Sequence, residues 1–213
     1  MVALTGALQM CAQSQDANTK ETAVSESKGM PPRAAPTEYQ AQAQAGKVTV
    51  AAEFTGHSVP TADGTYTTED YVVVEVGVFG PSEARAKLSI GDFSLRINGR
   101  KMPSPSQPYE LAFKSLKDPE WEPPSKSESK SKTSLGGGGD DAGAPPPLPP
   151  KMPIELRRAM ELRVKRAAMP EGDRVLPQAG LLFFEYRGKT QNIRSIELIY
   201  SGPAGNATLP LQP

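Results

Sequence analysis

The chain has 213 residues, of which 37% are hydrophobic and 6% aromatic, and its 24 basic residues balance its 24 acidic ones. A net charge of zero gives no support to a nucleic-acid partner, and none is expected. Cys11 and His57 are the only cysteine and the only histidine, which excludes an internal disulfide and a cysteine–histidine metal cluster. We expect neither a metal nor another cofactor.

Residues 1–12 are interpreted as the remnant of a signal peptide. Residues 2–12 are mostly apolar and the first lysine is Lys20, as in a secretory signal followed by a polar mature segment. The basic start of such a signal is missing, so we expect translation to begin upstream. Cys11 is a candidate lipidation site, although Met10 stands where a lipobox has a small residue; the alternative is a leader that is removed with its cysteine. The apolar run is too short to span a bilayer as a helix, and no integral membrane span is expected.

Residues 13–45 are polar and predict a disordered spacer, whereas residues 46–213 predict a single domain built from strand-like segments. The segment KVTVAAEF (47–54) places most of its large apolar side chains on one face. In YVVVEVGVF (71–79), every second residue from Val72 onward is valine. This pattern is typical of a long strand near the centre of a sheet.

The next segments add turns and a shorter strand. AKLSIGDFSLRINGRKM (86–102) alternates in two registers that change at Gly91-Asp92, which predicts a bulge or a tight turn there. Asn98-Gly99 predicts a hairpin turn, because both residues tolerate positive φ. YELAF (109–113) alternates again, and it predicts a strand with Tyr109, Leu111 and Phe113 pointing inward.

A low-complexity insertion at 118–152 interrupts the domain. Its Ser-, Lys- and Gly-rich part is typical of a flexible linker and its Pro-rich part of a stiff spacer. A helix is predicted over 153–169, since Pro153 suits a first helical turn. We expect this helix to cover an open end of the sandwich. The residues on its buried stripe are Leu156, Met160, Arg163, Val164 and Ala167.

Three further strands are predicted after the helix, at 180–188, 193–200 and 207–212. Pro210 limits the last one to the edge of a sheet, because proline has no N–H to donate. About seven short strands with one helix favour an all-β fold, an antiparallel immunoglobulin-like β-sandwich.

Two stretches carry a family resemblance. DYVVVEVGVFG followed by LSIGDFSLRINGRKM resembles the first half of the telokin-like, immunoglobulin-fold domains of bacterial exported proteins of unknown function. Those domains show a Val-rich strand, an Asp-Phe-x-Leu strand and an Asn/Asp-Gly turn, here Val72–Val78, Asp92–Leu95 and Asn98-Gly99. GLLFFEYRG and IRSIELIYSG are similar to their last two strands. The resemblance covers roughly residues 45–113 and 175–212; it implies the fold and export, and no catalytic residue.

None of the polar motifs predicts an enzyme. His57 lies alone in TGHSVPTADG and is interpreted as a solvated loop residue. Asp63, Glu69 and Asp70 would need further oxygen ligands from other loops to hold Ca²⁺. The segment GGGGDD lacks the Lys-Ser/Thr end of a phosphate-binding loop, and no nucleophile motif is present.

Six residues are candidate surface contacts. The predicted helix at 153–169 carries basic residues that could bind an acidic surface, although a solvated basic face is the alternative. Trp121 is the only tryptophan, and it either anchors the insertion on the sandwich or makes an exposed contact. The candidates are Trp121, Arg157, Arg158, Arg163, Lys165 and Arg166.

The sequence therefore predicts a non-enzymatic bacterial module, exported to the periplasm or the cell surface, that acts in protein interaction or envelope structure. Its partner would be an envelope or extracellular protein, bound through loops at one end of the sandwich or through an exposed sheet edge. The alternative is a periplasmic accessory domain that binds a small ligand or a metal.

Replacement of residues 125–150 by a short Gly/Ser loop should leave Tm nearly unchanged, because doubling the length of a flexible loop costs only about 0.6 kcal/mol. Differential scanning calorimetry of the two proteins measures the difference. A cooperative loss of folding in the shortened protein would show that the insertion packs against the domain.

Overall fold

The computed structural model describes residues 28–118, 121 and 152–213. These residues form thirteen strands and two α-helices, and the neighbouring strands pair in antiparallel fashion. The strands are β1 (Ala41–Ala45), β2 (Val48–Gly56), β3 (Ser58–Thr61), β4 (Gly64–Thr68), β5 (Tyr71–Phe79), β6 (Arg85–Leu88), β7 (Phe93–Ile97), β8 (Ser104–Gln107), β9 (Leu116–Lys117), β10 (Gly172–Val175), β11 (Gln178–Glu185), β12 (Ile196–Gly202) and β13 (Gly205–Leu211). The helices are α1 (Tyr109–Phe113) and α2 (Ile154–Ala167).

Eight strands form one large sheet in the order β1-β2-β5-β11-β8-β7-β12-β13, while β6-β10 and β3-β4-β9 form two small sheets. The large sheet curls until its two outer strands are neighbours. The Gln40 side-chain amide donates to the carbonyl oxygen of Gln212 at 3.1 Å, and a β-carbon on Gly46 would lie 2.2 Å from the carbonyl oxygen of Ala204. The mostly antiparallel β class is confirmed. The large sheet is nearly closed, and the described residues form more strands than the roughly seven that were expected.

Alternate residues of the large sheet meet in its interior and form the inner core. In β5, the even-numbered positions from Val72 to Val78 are buried there, as the alternation in the sequence predicted. Leu95 of β7, Phe184 of β11 and Leu198 of β12 join them, and each is at most 1% exposed. Burial of each such side chain stabilises the fold by about 1.5–3 kcal/mol.

The opposite faces of β5 and β11 are also buried, in this case under α2. Val73 of β5 packs with Leu181 and Phe183 of β11 and with Met160 and other apolar residues of α2 in a second cluster, the outer core. The predicted helix is confirmed, but it covers a face of the sheet and not an open end. The reason is that β5 and β11 are apolar on both faces, as strands buried on both sides are.

The segment 109–113 forms the single-turn helix α1, so the expectation of a strand was wrong. Alternation over five residues fits one helical turn as well as it fits a short strand. Ala112 and Phe113 are buried in the outer core, whereas Leu111, which was expected to point inward, is exposed. The conformation is decided by packing against the outer core, which stabilises short helices more than their own hydrogen bonds do.

Part of the stretch 13–45, which was expected to be disordered, belongs to the fold. Met30 forms an isolated β-bridge with Ala179, and Ala41–Ala45 are strand β1, paired along its length with β2. The only apolar side chains in the segment AQAQA are those of alanine, which are small. Its strand conformation therefore depends on this pairing. Residues 13–27, the predicted signal remnant and most of the insertion lie outside the described residues.

Two turns and one edge strand stand where the sequence predicted them. Ile90–Asp92 form a 3-10 turn between β6 and β7. Asn98 and Gly99 have φ of 53° and 65° and follow β7, which pairs with β8. Pro210 lies in β13, the last strand in the order of the large sheet.

An ion-pair cluster fixes the chain before β1 to the outside of β5. Glu75 of β5 lies opposite Glu53 of β2 and is 7% exposed, so two like charges meet at a position with little water. The positive charge of Arg33 pairs with both carboxylates. Its Nε and Nη2 donate to the Glu75 carboxylate at 3.2 and 2.9 Å, and its Nη1 contacts Glu53. The hydrogen bonds and the charge of Glu75 raise the pKa of Arg33, and the guanidinium lies 4.5 Å from the centre of the Tyr39 ring.

Arg33→Met should lower the free energy of unfolding by about 3 kcal/mol, because it leaves the Glu75 carboxylate buried without a cation. Urea unfolding of the variant and the wild type measures the change. The double variant Arg33→Met/Glu75→Gln should recover most of the loss, since it removes the buried charge as well. Equal stability of Arg33→Met and the wild type would contradict the role given to the cluster.

Candidate interaction surface

Two connecting segments meet at one end of the large sheet. Residues 98–103 join β7 to β8, and residues 186–195 join β11 to β12. The Asn98 side chain holds the two together: its Nδ2 donates to the carbonyl oxygen of Asn192 at 2.9 Å, and its Oδ1 accepts from the amide of Arg194 at 2.6 Å. We call these two segments together the loop end.

Asn98 meets two requirements of this position at once. Its φ of 53° lies in the left-handed region, which asparagine tolerates better than most residues. Its side-chain amide both donates and accepts, so it binds main-chain groups of both kinds in the other segment. The turn was predictable from Asn98-Gly99, but the contact with Asn192, which is 94 positions further along the chain, was not.

His57 ties the loop end to the start of β5. It occupies the turn between β2 and β3 and is half-buried, so its interpretation as a solvated loop residue was wrong. Its Nδ1 lies 2.6 Å from the carbonyl oxygen of Tyr71 and its Nε2 lies 2.9 Å from that of Gly188. Carbonyl oxygens only accept, so each contact is a hydrogen bond when the ring nitrogen that faces the carbonyl carries the proton. The ring also stacks on Tyr186, with the ring centres 6.2 Å apart.

The loop end is basic. Its two segments contain five basic residues and no acidic residue. One of the five, Arg187, contacts Asp70 at 3.6 Å and Glu185 at 3.4 Å, just outside the segments. The other four side chains pair with no carboxylate among the residues that the structure describes. They are Arg100, Lys101, Lys189 and Arg194, and all four are exposed.

Met102 adds an apolar side chain to this basic surface. It directly follows Arg100-Lys101 and is 81% exposed, more than any other large hydrophobic side chain in the described part of the chain. Methionine is flexible and polarisable, and it is frequent on surfaces that adapt to a binding partner. The combination suits a partner that offers acidic groups around a small apolar spot.

Two of the basic residues of α2 that were predicted as surface contacts make contacts within the protein. The Arg157 guanidinium lies 5.6 Å from the centre of the Phe113 ring. Arg163 donates to the Tyr66 hydroxyl at 2.8 Å and lies 3.1 Å from the carboxylate of Asp63. These contacts attach α2 to neighbouring elements. The other three are Arg158 and Arg166, which are exposed, and Lys165, which is half-buried.

Two further candidates lie at or beyond the limits of the described chain. Trp121 is half-buried, and its main-chain amide donates to the carbonyl oxygen of Asp118 at 3.2 Å. Its part in a surface contact stays a prediction. Cys11, the candidate lipidation site, lies outside the described residues, so its modification stays a prediction as well.

The three carboxylates that were considered for a Ca²⁺ site each pair with a different cation. Because those cations belong to different elements, the carboxylates do not converge on one point. Over residues 28–118, 121 and 152–213, no group of three His, Cys, Asp or Glu side chains is arranged to hold a metal ion. The pairs are Asp63–Arg163, Glu69–Lys117 and Asp70–Arg187.

No family model, no curated protein and no solved structure matches this chain. Within the part of the chain that the structure describes, no helix combines the length and the apolar character needed to cross a membrane. The loop end combines a fixed main chain, cations that have no carboxylate partner among the described residues, and one exposed apolar side chain.

Asn98→Ala should lower the free energy of unfolding by about 2–3 kcal/mol, because it removes the hydrogen bonds between the two segments and strains the left-handed backbone. Asn98→Gly, which relieves the strain but also lacks the amide, should cost about 1–2 kcal/mol. Urea unfolding of both variants separates the two contributions. If Asn98→Gly were as stable as the wild type, the side-chain hydrogen bonds would have no part in holding the loop end.

Proposed function

We propose that this chain is a non-enzymatic interaction module of the bacterial cell envelope that binds an acidic protein through its loop end. The observation that carries the proposal is the group of exposed cations without carboxylate partners among the described residues: Arg100, Lys101, Lys189 and Arg194. Neither segment contains an acidic residue. Met102, which directly follows Lys101, is exposed.

The physical properties of the loop end support protein binding. Uncompensated cations on one end of a molecule attract an acidic partner and speed its association. The contacts of Asn98 and His57 hold both segments before a partner arrives, so little entropy is lost in ordering them on binding. Met102 offers apolar area that becomes buried in the complex.

The finer fold and the location belong to the same proposal. An immunoglobulin-like sandwich, as the resemblance to telokin-like domains implies, is supported by the antiparallel pairing and by the core between opposed faces of the large sheet. Export to the periplasm or the cell surface is supported by the apolar run at residues 2–12.

The double variant Arg100→Glu/Lys101→Glu should lose binding to the partner, whereas Arg158→Glu/Arg166→Glu, with the same change in charge on the exposed face of α2, should keep it. The partner is identified by a photoreactive amino acid placed at position 102 in the full-length protein, followed by mass spectrometry of the cross-linked product. Binding of the purified pair is then measured at low and high salt, and it should weaken steeply as salt rises.

Three results would overturn the proposal: a cross-linked partner without an acidic surface, equal loss of binding in both double variants, or cross-linking to lipid in place of protein. Thermal unfolding of both double variants must match that of the wild type, so that lost binding reflects the surface and not the fold.

A further inference from the structure

A cavity of about 470 Å³ lies between the C-terminal end of α2, the start of α1 and the outer face of β11. Its floor is apolar, made by Ala168, Met169, Leu181 and Phe183, each at most 6% exposed. The volume falls in the range of small-molecule sites, about 300–1,000 Å³. None of the residues that line the cavity belongs to the loop end.

Main-chain contacts fix the floor of this cavity. The amide of Met169 donates to the carbonyl oxygen of Leu181 at 3.0 Å, and Ala168 forms a parallel β-bridge with Leu181. A β-carbon on Gly180 would lie 2.4 Å from the Cα of Met169, so only glycine permits this close approach. Because the floor is held by the fold itself, the cavity exists before a ligand enters it.

Two charged residues at the rim are used within the protein. The Glu171 carboxylate accepts from the amide of Ile90 at 3.1 Å and from the Ser89 hydroxyl at 3.4 Å. The Nε of Arg174 donates to the carbonyl oxygen of Glu171 at 2.9 Å. The Glu171 contacts join the segment after α2 to the turn before β7, and the Arg174 contact lies within that segment, so both side chains make contacts inside the protein.

Two opposite charges at the rim have no ion-pair partner among the described residues. Lys165 is half-buried and pairs with no carboxylate among the described residues, and Glu110 is exposed and pairs with no cation there. Tyr109 lines the same rim. Its burial, followed by the charge of Glu110 and a hydrogen bond with the Glu110 side chain, raises the pKa of Tyr109 to about 12.

We infer that this cavity binds a small zwitterion with an apolar body, that is, an apolar amino acid or a short apolar peptide. The ligand carboxylate pairs with Lys165, the ammonium group pairs with Glu110, and the apolar body covers Leu181 and Phe183. An anion that lacks an ammonium group cannot pair with Glu110. A cation that lacks a carboxylate cannot pair with Lys165. A ligand with both charges therefore complements this rim better than either single ion does.

Isothermal titration calorimetry of the full-length protein tests the ligand class. L-Phenylalanine and the dipeptide of phenylalanine and leucine are compared with 3-phenylpropionate, which lacks the ammonium group, and with 2-phenylethylamine, which lacks the carboxylate. At least one zwitterion should bind saturably, and either single ion should bind at least about tenfold more weakly. The absence of saturable binding by both zwitterions, or equal affinity for 3-phenylpropionate, would overturn the inference.

Variants of the two rim charges test the site. Lys165→Met and Glu110→Gln should each weaken binding of the zwitterion about tenfold, whereas Arg158→Met, on the exposed face of the same helix, should leave it unchanged. Thermal unfolding of all three variants confirms that each is folded. Binding that survives both rim substitutions would place the ligand elsewhere and refute the site. The loop end is intact in every variant, so this outcome is independent of protein binding there.

Discussion

Burial of β5 and β11 on both faces is the constraint on which the rest of the structure depends. One face of each strand contributes to the inner core, so the other face, also apolar, requires a cover of its own. Along the outer face of β5, successive outward-facing residues are buried by different parts of the chain. Val73 packs in the outer core with α2, Glu75 is bound by Arg33, and at Gly77 a β-carbon would lie 2.7 Å from the Tyr39 hydroxyl. The segment before β1 and the helix α2 therefore complete one pair of strands.

The same strand, β11, positions both candidate sites. Its outer face receives the end of α2, and the imperfect fit between helix, sheet and α1 leaves the cavity at Leu181 and Phe183. Its C-terminal end continues into residues 186–195, which Asn98 and His57 hold against neighbouring turns. Both sites are thus attached to the most deeply buried part of the fold, which keeps their geometry fixed.

The net charge of zero hides an uneven distribution of charge. The loop end holds five basic residues and no acidic one, while ion pairs elsewhere bring the opposite charges together, as in Arg33 with Glu75 and Arg96 with Glu197. The net charge of the whole chain excludes a protein that is basic throughout, but it does not describe the charge at one end of the molecule. Local charge, and not the total, governs attraction to a partner within the screening distance of salt, about 10 Å.

The sequence by itself determined the elements whose signals are local. Alternating valines predicted β5, Asn98-Gly99 predicted a turn, and the spacing of apolar residues predicted α2, because strand, turn and helix each depend on neighbours a few residues apart. Only the tertiary structure decided the rest. Residues 109–113 became a helix because of their packing, Ala41–Ala45 became a strand because β2 pairs with them, and the basic surface and the cavity arose from segments far apart in the chain. Such contacts follow from the fold and leave no periodicity in the sequence to detect.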